Sequence, residues 1–428
     1  MANANASKKW YSWYFDFNLL YRILIGLALG IILGLIFKDK ILWIAPFGDL
    51  FVRLLKMIMM PVILSTLIVG ASSISPATLG KVGVRILVLY LLTSAFAVSI
   101  GLGMGALFHP SAELSGFAEA AGKEAAAPSL AQTLLSIIPT SVAQGIVSET
   151  ILAVIFFALI FGIGVSSIRS SANERLKAAG DALYVFFEGV AEVMMLIIKG
   201  IMQYAPFGVL ALVAVVFATN GPRVIGALGV VTAACFVGYA LHIIVVYCGL
   251  VKTYGGLPIG RYFRDAKDPF ITAFVTRSSN GTLPVTMEAA DNLGVPKNIY
   301  SFSLPLGATI NMDGTAIYLG VCSTFIALSV WGHGFNVSQL GIIVVTATLA
   351  SIGTAGVPGA GAIMLLLVLD SVGLPVTAGS AVAGAYAMIL GIDALLDMGR
   401  TALNVTGDLS CTTIVASRMK QLDTAKWK

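Results

Sequence analysis

The chain has 428 residues, of which 58% are hydrophobic and only 11% charged, with a mean hydropathy of +0.93. A soluble domain carries about 25% charged residues, so this balance excludes one and points to an all-α polytopic membrane protein. The net charge of +5 comes from basic residues scattered at segment ends, not gathered with aromatics in a patch, which excludes a nucleic-acid-binding face.

Residues 1–17 are polar and aromatic, with Lys8 and Lys9 and no small-residue cleavage site, and read as a cytoplasmic interfacial lead-in. Asn18 to Phe37 is apolar and about one bilayer long, with Gly26, Gly30 and Gly34 spaced for close helix contact. A second apolar segment runs from Pro46 to Ser73 through Arg53 and Lys56, which lie one turn apart and can snorkel. A third starts at Lys81 and Arg85 and ends at His109. It contains Tyr90, Thr93 and Ser94, hydroxyls that taken alone read as interhelical hydrogen-bonding groups.

Residues 110–130 form a polar, Ala/Gly-rich, acidic stretch that predicts an external loop. Leu130 to Ile168 is apolar but broken by Pro139 and Gly145, which predicts a fragmented fourth span. After the charged run Arg169 to Lys177, an amphipathic helix is predicted over Ala178 to Gln203, carrying Asp181, Glu188, Glu192 and Lys199. Pro206 separates it from another apolar run to Asn220. Pro222 to Lys252 reads as a further span and Lys252 to Lys267 as a basic connector. Cys235, Cys248, Cys322 and Cys411 show no CxxC or metal spacing and read as core thiols. His109, His242 and His333 are too far apart in sequence to suggest a metal site. The Lys/Arg clusters fit about eight full crossings with both termini cytoplasmic, although Lys38 and Lys40 fall outside in that scheme.

The last 170 or so residues differ in kind. Ala266 to Asn292 is too polar and too short to cross twice, and its middle, Arg277 to Pro284, reads RSSNGTLP, a helix-breaking run. A second break, Ser351 to Gly361 (SIGTAGVPGAG), is flanked by apolar arms at Ile342 to Leu349 and Ile363 to Leu369. Irregular backbone at membrane depth is tolerated only inside protein or beside water, so each break predicts a re-entrant hairpin. Each hairpin is followed by a helix interrupted by a polar motif, NMDGT at 311–315 and NVTGD at 404–408. Two related units with paired discontinuous segments point to a transporter binding site.

On a helix, Asp393, Asp397, Arg400, Thr401, Asn404 and Asp408 fall within an arc of about 100°. Each charge at membrane depth costs on the order of 3 kcal/mol, so that stripe faces protein or a wet cavity and marks a substrate or ion path. A purely structural seam of paired Asp and Arg is the alternative. Arg400 offers a planar fork for a carboxylate, Asp397 can accept an α-ammonium, and Thr401 and Asn404 add neutral hydrogen bonds. The expectation is a fork that faces a cavity and is not locked to a neighbouring carboxyl. A hard cation such as Na⁺ prefers oxygen, available here from Asp313, Asp408, Asn311 and carbonyls near Gly307 and Asn404.

With NMDGT, SSNGTLP, GTAGVPGAG and DMGRTALNVTGD in this order, the chain strongly resembles the glutamate/aspartate transporter family, the dicarboxylate/amino acid:cation symporters that include archaeal sodium-coupled aspartate transporters. The resemblance implies eight transmembrane helices plus two re-entrant helical hairpins, inverted repeats, a homotrimer in the plasma (inner) membrane, and elevator-type alternating access. It implies a scaffold from residues 1–75 and 111–220, and a transport domain from 76–110 and 221–428. It also implies substrate contacts at Ser279, Thr315, Val357, Gly361, Asp397, Arg400, Thr401 and Asn404, with Arg277 bracing Asp397. One sodium site would use Gly307, Asn311, Asn404 and Asp408; another Thr309, Met312, Ser351, Ile352 and Thr354; a third Tyr90, Thr93, Ser94, Asn311 and Asp313. Arg400 favours an acidic substrate, while Asn280 at the hairpin tip leaves aspartate against glutamate open.

The function expected is sodium-coupled symport of L-aspartate and/or L-glutamate, with a proton-coupled glutamate or dicarboxylate symporter as the alternative. The partners expected are the acidic amino acid, more than one sodium ion and membrane lipid, with no nucleic acid. The chain carries no HExxH or GxSxG motif and no repeated pore-loop signature, so an intramembrane enzyme or a channel is not expected.

Overall fold

The computed structural model describes residue 17 and residues 19–72, 82–112, 138, 141–147, 151–352, 359–377 and 379–427. Among them helix is the one regular secondary structure, with no β-strand. In order, the helices are α1 (Leu19–Phe37), α2 (Ala45–Ser72), α3 (Val84–Phe108), α4 (Val142–Val147), α5 (Ile151–Arg169), α6 (Glu174–Asn220), α7 (Val224–His242), α8 (Ile259–Thr276), α9 (Ser279–Asn292), α10 (Lys297–Ile310), α11 (Asp313–Trp331), α12 (Val337–Ile352), α13 (Ala360–Ser371) and α14 (Ala381–Arg418). Six helical stretches among the described residues are long and apolar enough to cross a membrane. The first of them, Tyr21–Ser72, is 52 residues long and holds both α1 and α2, joined by the 3₁₀ turn Lys38–Ile44.

α1 and α2 both lie along α6. The glycine stripe of α1 makes that approach possible: a Cβ on Gly30 would sit 2.7 Å from the Leu210 carbonyl oxygen, closer than real side chains come. α6 itself corrects an expectation. It runs unbroken for 47 residues through Pro206, where a break was predicted. Proline removes one backbone donor, and here the burial of Ala205, Val209, Leu212 and Val213 in the core keeps the helix together. Its start is capped by Asn173, whose side chain accepts from the amides of Arg175 and Leu176.

The polar C-terminal half resolves into paired helices flanking the two predicted breaks. α8 and α9 pack together around a break confined to Arg277 and Ser278. Arg277 adopts the left-handed conformation (φ 54°), and Ser278 caps α9 by accepting from the Gly281 amide at 3.0 Å. The break is thus narrower than RSSNGTLP implied, since Asn280, Gly281 and Pro284 are already helical. The stretch read as a basic connector is instead largely helical, because α8 starts at Ile259. α12 and α13 form the second pair; its tip, 353–358, lies outside the described residues.

The first polar motif does interrupt its helix: Asn311 (ψ 85°) and Met312 (ψ 51°) are non-helical between α10 and α11. The second does not. NVTGD lies in the continuous 38-residue α14, where Thr406 donates to the Ala402 carbonyl at 2.8 Å. The polar side chains there find tertiary partners, so the backbone has no need to open.

Candidate functional site

α14 is buried along almost its whole length, and it packs on α11, α8, α10 and α9. Its polar stripe therefore faces protein. Arg400 is 2% exposed. Its Nη2 donates to Asp397 Oδ1 at 2.7 Å, Nε to the same oxygen at 3.1 Å, and Nη1 to Asp393 Oδ1 at 3.2 Å. The guanidinium also lies over the ring of Tyr318, 4.5 Å from its centroid. The fork is thus locked to its own helix's carboxylates, contrary to the expectation of a fork facing a cavity. A cavity does lie beside this cluster, and it is Arg277 and Asp393 that line it, with Gly359, Ala362 and Met202. The α13 backbone comes right up to the fork: a Cβ on Gly361 would overlap the Arg400 guanidinium.

Asp397 Oδ2 and Ser279 Oγ are buried with no hydrogen-bond partner, as is the hydroxyl of Tyr318 under Arg400. Ser279 opens α9, which packs against α14. An unpaired buried polar atom costs about 1–3 kcal/mol, a cost that a guest supplying the missing partners would relieve. Thr401 donates to Asp397 Oδ1 at 3.2 Å, and Thr315 is buried in the first turn of α11. Val357 lies outside the described residues.

One helical turn further along α14 the chemistry changes from charge to oxygen. Asn404 Oδ1 accepts from the Gly314 amide at 2.7 Å, and its Nδ2 contacts Met312 Sδ at 3.0 Å. Asn311 Nδ2 donates to Asp408 Oδ1 at 3.1 Å and reaches the Asn404 carbonyl at 3.5 Å. Gly307 lies against both Asp408 and the Tyr90 hydroxyl. On the other side, Thr93 Oγ1 meets Asn311 Oδ1 at 3.3 Å and Ser94 Oγ donates to Asp313 Oδ1 at 2.6 Å. Tyr90 donates to the Ser303 carbonyl at 3.0 Å. The structure therefore brings Tyr90, Thr93, Ser94, Gly307, Asn311, Asp313, Asn404 and Asp408 into one network. Two carboxylates amid hydroxyl, carboxamide and carbonyl oxygens fit a small hard cation.

The remaining group is not drawn together by any hydrogen bond among the described residues. Thr309 donates to the Leu306 carbonyl at 3.0 Å and Ser351 to the Thr348 carbonyl at 2.7 Å, each on its own helix. Ile352 ends α12, and Thr354 lies outside the described residues.

The sequence reading missed three residues. Tyr318 under Arg400 had no spacing signal. His242 and Tyr247 both reach Asp313 Oδ2, at 3.2 and 2.7 Å. Their only sequence signal was a histidine and a tyrosine five apart in an apolar run.

Long apolar helices around a buried charged stripe, with an oxygen-lined network one turn away, define a multi-pass membrane transporter of charged solutes. The profile of the Sodium:dicarboxylate symporter family matches residues 19–418, and the chain belongs to that family. It is a transporter and not an enzyme. It is 33% identical over 424 residues to the proton/sodium-glutamate symport protein of Bacillus subtilis (96% of this chain, 95% of the relative). It is 32% identical over 431 residues to the proton/glutamate-aspartate symporter of Escherichia coli (96% and 95%). With the human neutral amino acid transporter B(0) it shares 32% over 399 residues (84% and 71%).

Proposed function

We propose that the chain is a sodium-coupled symporter of acidic amino acids, L-aspartate and/or L-glutamate. The observation that carries this reading is the pair of buried, unpartnered atoms Asp397 Oδ2 and Ser279 Oγ in the Arg400 region. Asp397 accepts the substrate's ammonium and Ser279 donates to a carboxylate. Arg400 exchanges its internal partners for the second carboxylate, helped by Thr315, Thr401, Asn404, Gly361 and Val357, with Arg277 bracing Asp397. Sodium ions are taken up at the Asp313/Asn311 and Asp408/Asn404 oxygens. A further ion sits among Thr309, Met312, Ser351, Ile352 and Thr354.

In this reading the fold has eight crossings and two re-entrant hairpins in inverted repeats, with both termini cytoplasmic. Residues 1–75 and 111–220 form the scaffold of a homotrimer. Residues 76–110 and 221–428 move as the transport domain, elevator fashion. Inward sodium movement gains about 2.3 kcal/mol per charge per 100 mV of membrane potential.

The rival is proton coupling: the name of the Escherichia coli relative gives the proton alone, while that of the Bacillus subtilis relative gives both cations. Proteoliposomes decide between them. An inward sodium gradient is expected to drive labelled aspartate uptake. Uptake that ignores sodium and follows a pH gradient in sodium-free buffer would install the rival.

A further inference from the structure

α7 does not end as a regular helix. After His242 the backbone widens into a π-turn, Ile243–Tyr247, closed by the Cys248 amide donating back to the Ile243 carbonyl. A second π-turn follows at Leu250–Tyr254. Single wide turns of this kind inside helices are rare and concentrate at functional sites. In a regular α-helix, residues five apart point about 140° away from one another. The wide turn puts His242 and Tyr247 on one side instead, rings edge to face with centroids 4.7 Å apart. Both then reach the same atom, Asp313 Oδ2, His242 through Nε2 at 3.2 Å and Tyr247 through its hydroxyl at 2.7 Å.

The carboxylate is thereby divided. Oδ2 is taken by α7, and Oδ1 accepts from Ser94 beside Thr93 and Asn311. A carboxylate offers only lone pairs, so Nε2 carries the ring proton. Nδ1 is buried without a hydrogen-bond partner, so the ring's single polar contact is the one to Asp313. His242, Tyr247 and Asp313 are all essentially inaccessible to solvent. With Oδ1 held by Ser94, these two donors complete the fixing of the carboxylate plane, and removing either loosens it.

We infer that His242 and Tyr247 are positioning residues: together they hold the Asp313 carboxylate at a fixed angle and so set the affinity of that site for the coupling cation. The inference rests on the sodium reading given above, and it assigns to the π-turn a purpose that packing alone does not need. Groups that orient a metal ligand are worth about tenfold to a hundredfold in metal affinity.

The test uses the full-length chain in proteoliposomes, with the sodium concentration giving half-maximal aspartate uptake as readout. His242→Leu is expected to raise that concentration about tenfold, while aspartate affinity at saturating sodium stays within about twofold of wild type. His242→Gln, whose carboxamide N–H can reach the same oxygen, is expected to restore most of the loss. Tyr247→Phe keeps the ring and removes one donor, and it decides the matter if His242→Leu does not accumulate, with an expected rise of at least about threefold. Sodium-dependent wild-type uptake with an unshifted His242→Leu, or with His242→Gln shifted as far as His242→Leu, overturns the brace alone. Wild-type uptake that ignores sodium overturns the sodium reading, and the brace with it.

Discussion

Arg400 is held by two carboxylates and an aromatic face at once. On the proposed reading, replacing it with alanine removes the receptor for a substrate carboxylate and leaves buried acids unpaired, which costs about 2–5 kcal/mol. Calorimetry on Arg400→Ala is therefore expected to show aspartate affinity falling by about 30-fold at the least. Unchanged affinity would remove Arg400 from the substrate site. Tyr318 supplies the face. Tyr318→Leu forfeits the cation–π contact, worth about 0.5–2 kcal/mol in a desolvated setting, and should weaken aspartate binding by about twofold to thirtyfold. Tyr318→Phe keeps the ring and should bind nearly as wild type. If both variants bind alike, the ring is only filling space.

Among elements, α1 and α6 meet through bare backbone at Gly30. A leucine there forces the helices apart, an overpacking that costs about 1–3 kcal/mol, so Gly30→Leu should lower the thermal unfolding midpoint; an unmoved midpoint would mean that α1 is loosely held. The chain's punctuation was readable only in part. The break at Asn311 and Met312 was visible, because Asn-Met-Asp-Gly disfavours continuous helix and nothing in the motif compensates. So was the break near Arg277, where Ser278 is a good cap. Pro206 and NVTGD carried the same local signals and misled. In both places tertiary packing outweighs local preference: buried α6 residues on one side, and the partners of Asn404 and Asp408 on the other. The stripe from Asp393 to Asp408 followed directly from helical periodicity, since one face of one helix is the simplest geometry a sequence can encode. The His242–Tyr247 pair could not be seen that way. A π-turn shifts register once, and an average over 3.6-residue periods erases it.

For the whole molecule, the apolar exterior and the polar interior divide the labour. Exposed Ile25, Ile32, Phe96 and Val275 suit lipid, while the costliest charges lie inside. The proposed coupling makes a prediction about the fold as a unit. A ligand at 100 times its dissociation constant adds about 2.7 kcal/mol to stability. Sodium with aspartate is expected to raise the unfolding midpoint well above sodium alone, and aspartate without sodium is expected to leave it unchanged. An equal rise from aspartate alone would separate the two sites.

Asn404 is where they meet, its carboxamide tying Gly314 and Met312 while its carbonyl reaches Asn311. On the proposed reading that one amide serves cargo and fuel together. Reciprocity between linked sites then requires that the factor sodium lends to aspartate affinity is the factor aspartate lends to sodium, and a change at Asn404 touches both partners of that exchange. A lineage of such carriers could change its diet by altering Arg400 or its surroundings, but not by altering Asn404, without also changing the gradient on which it runs.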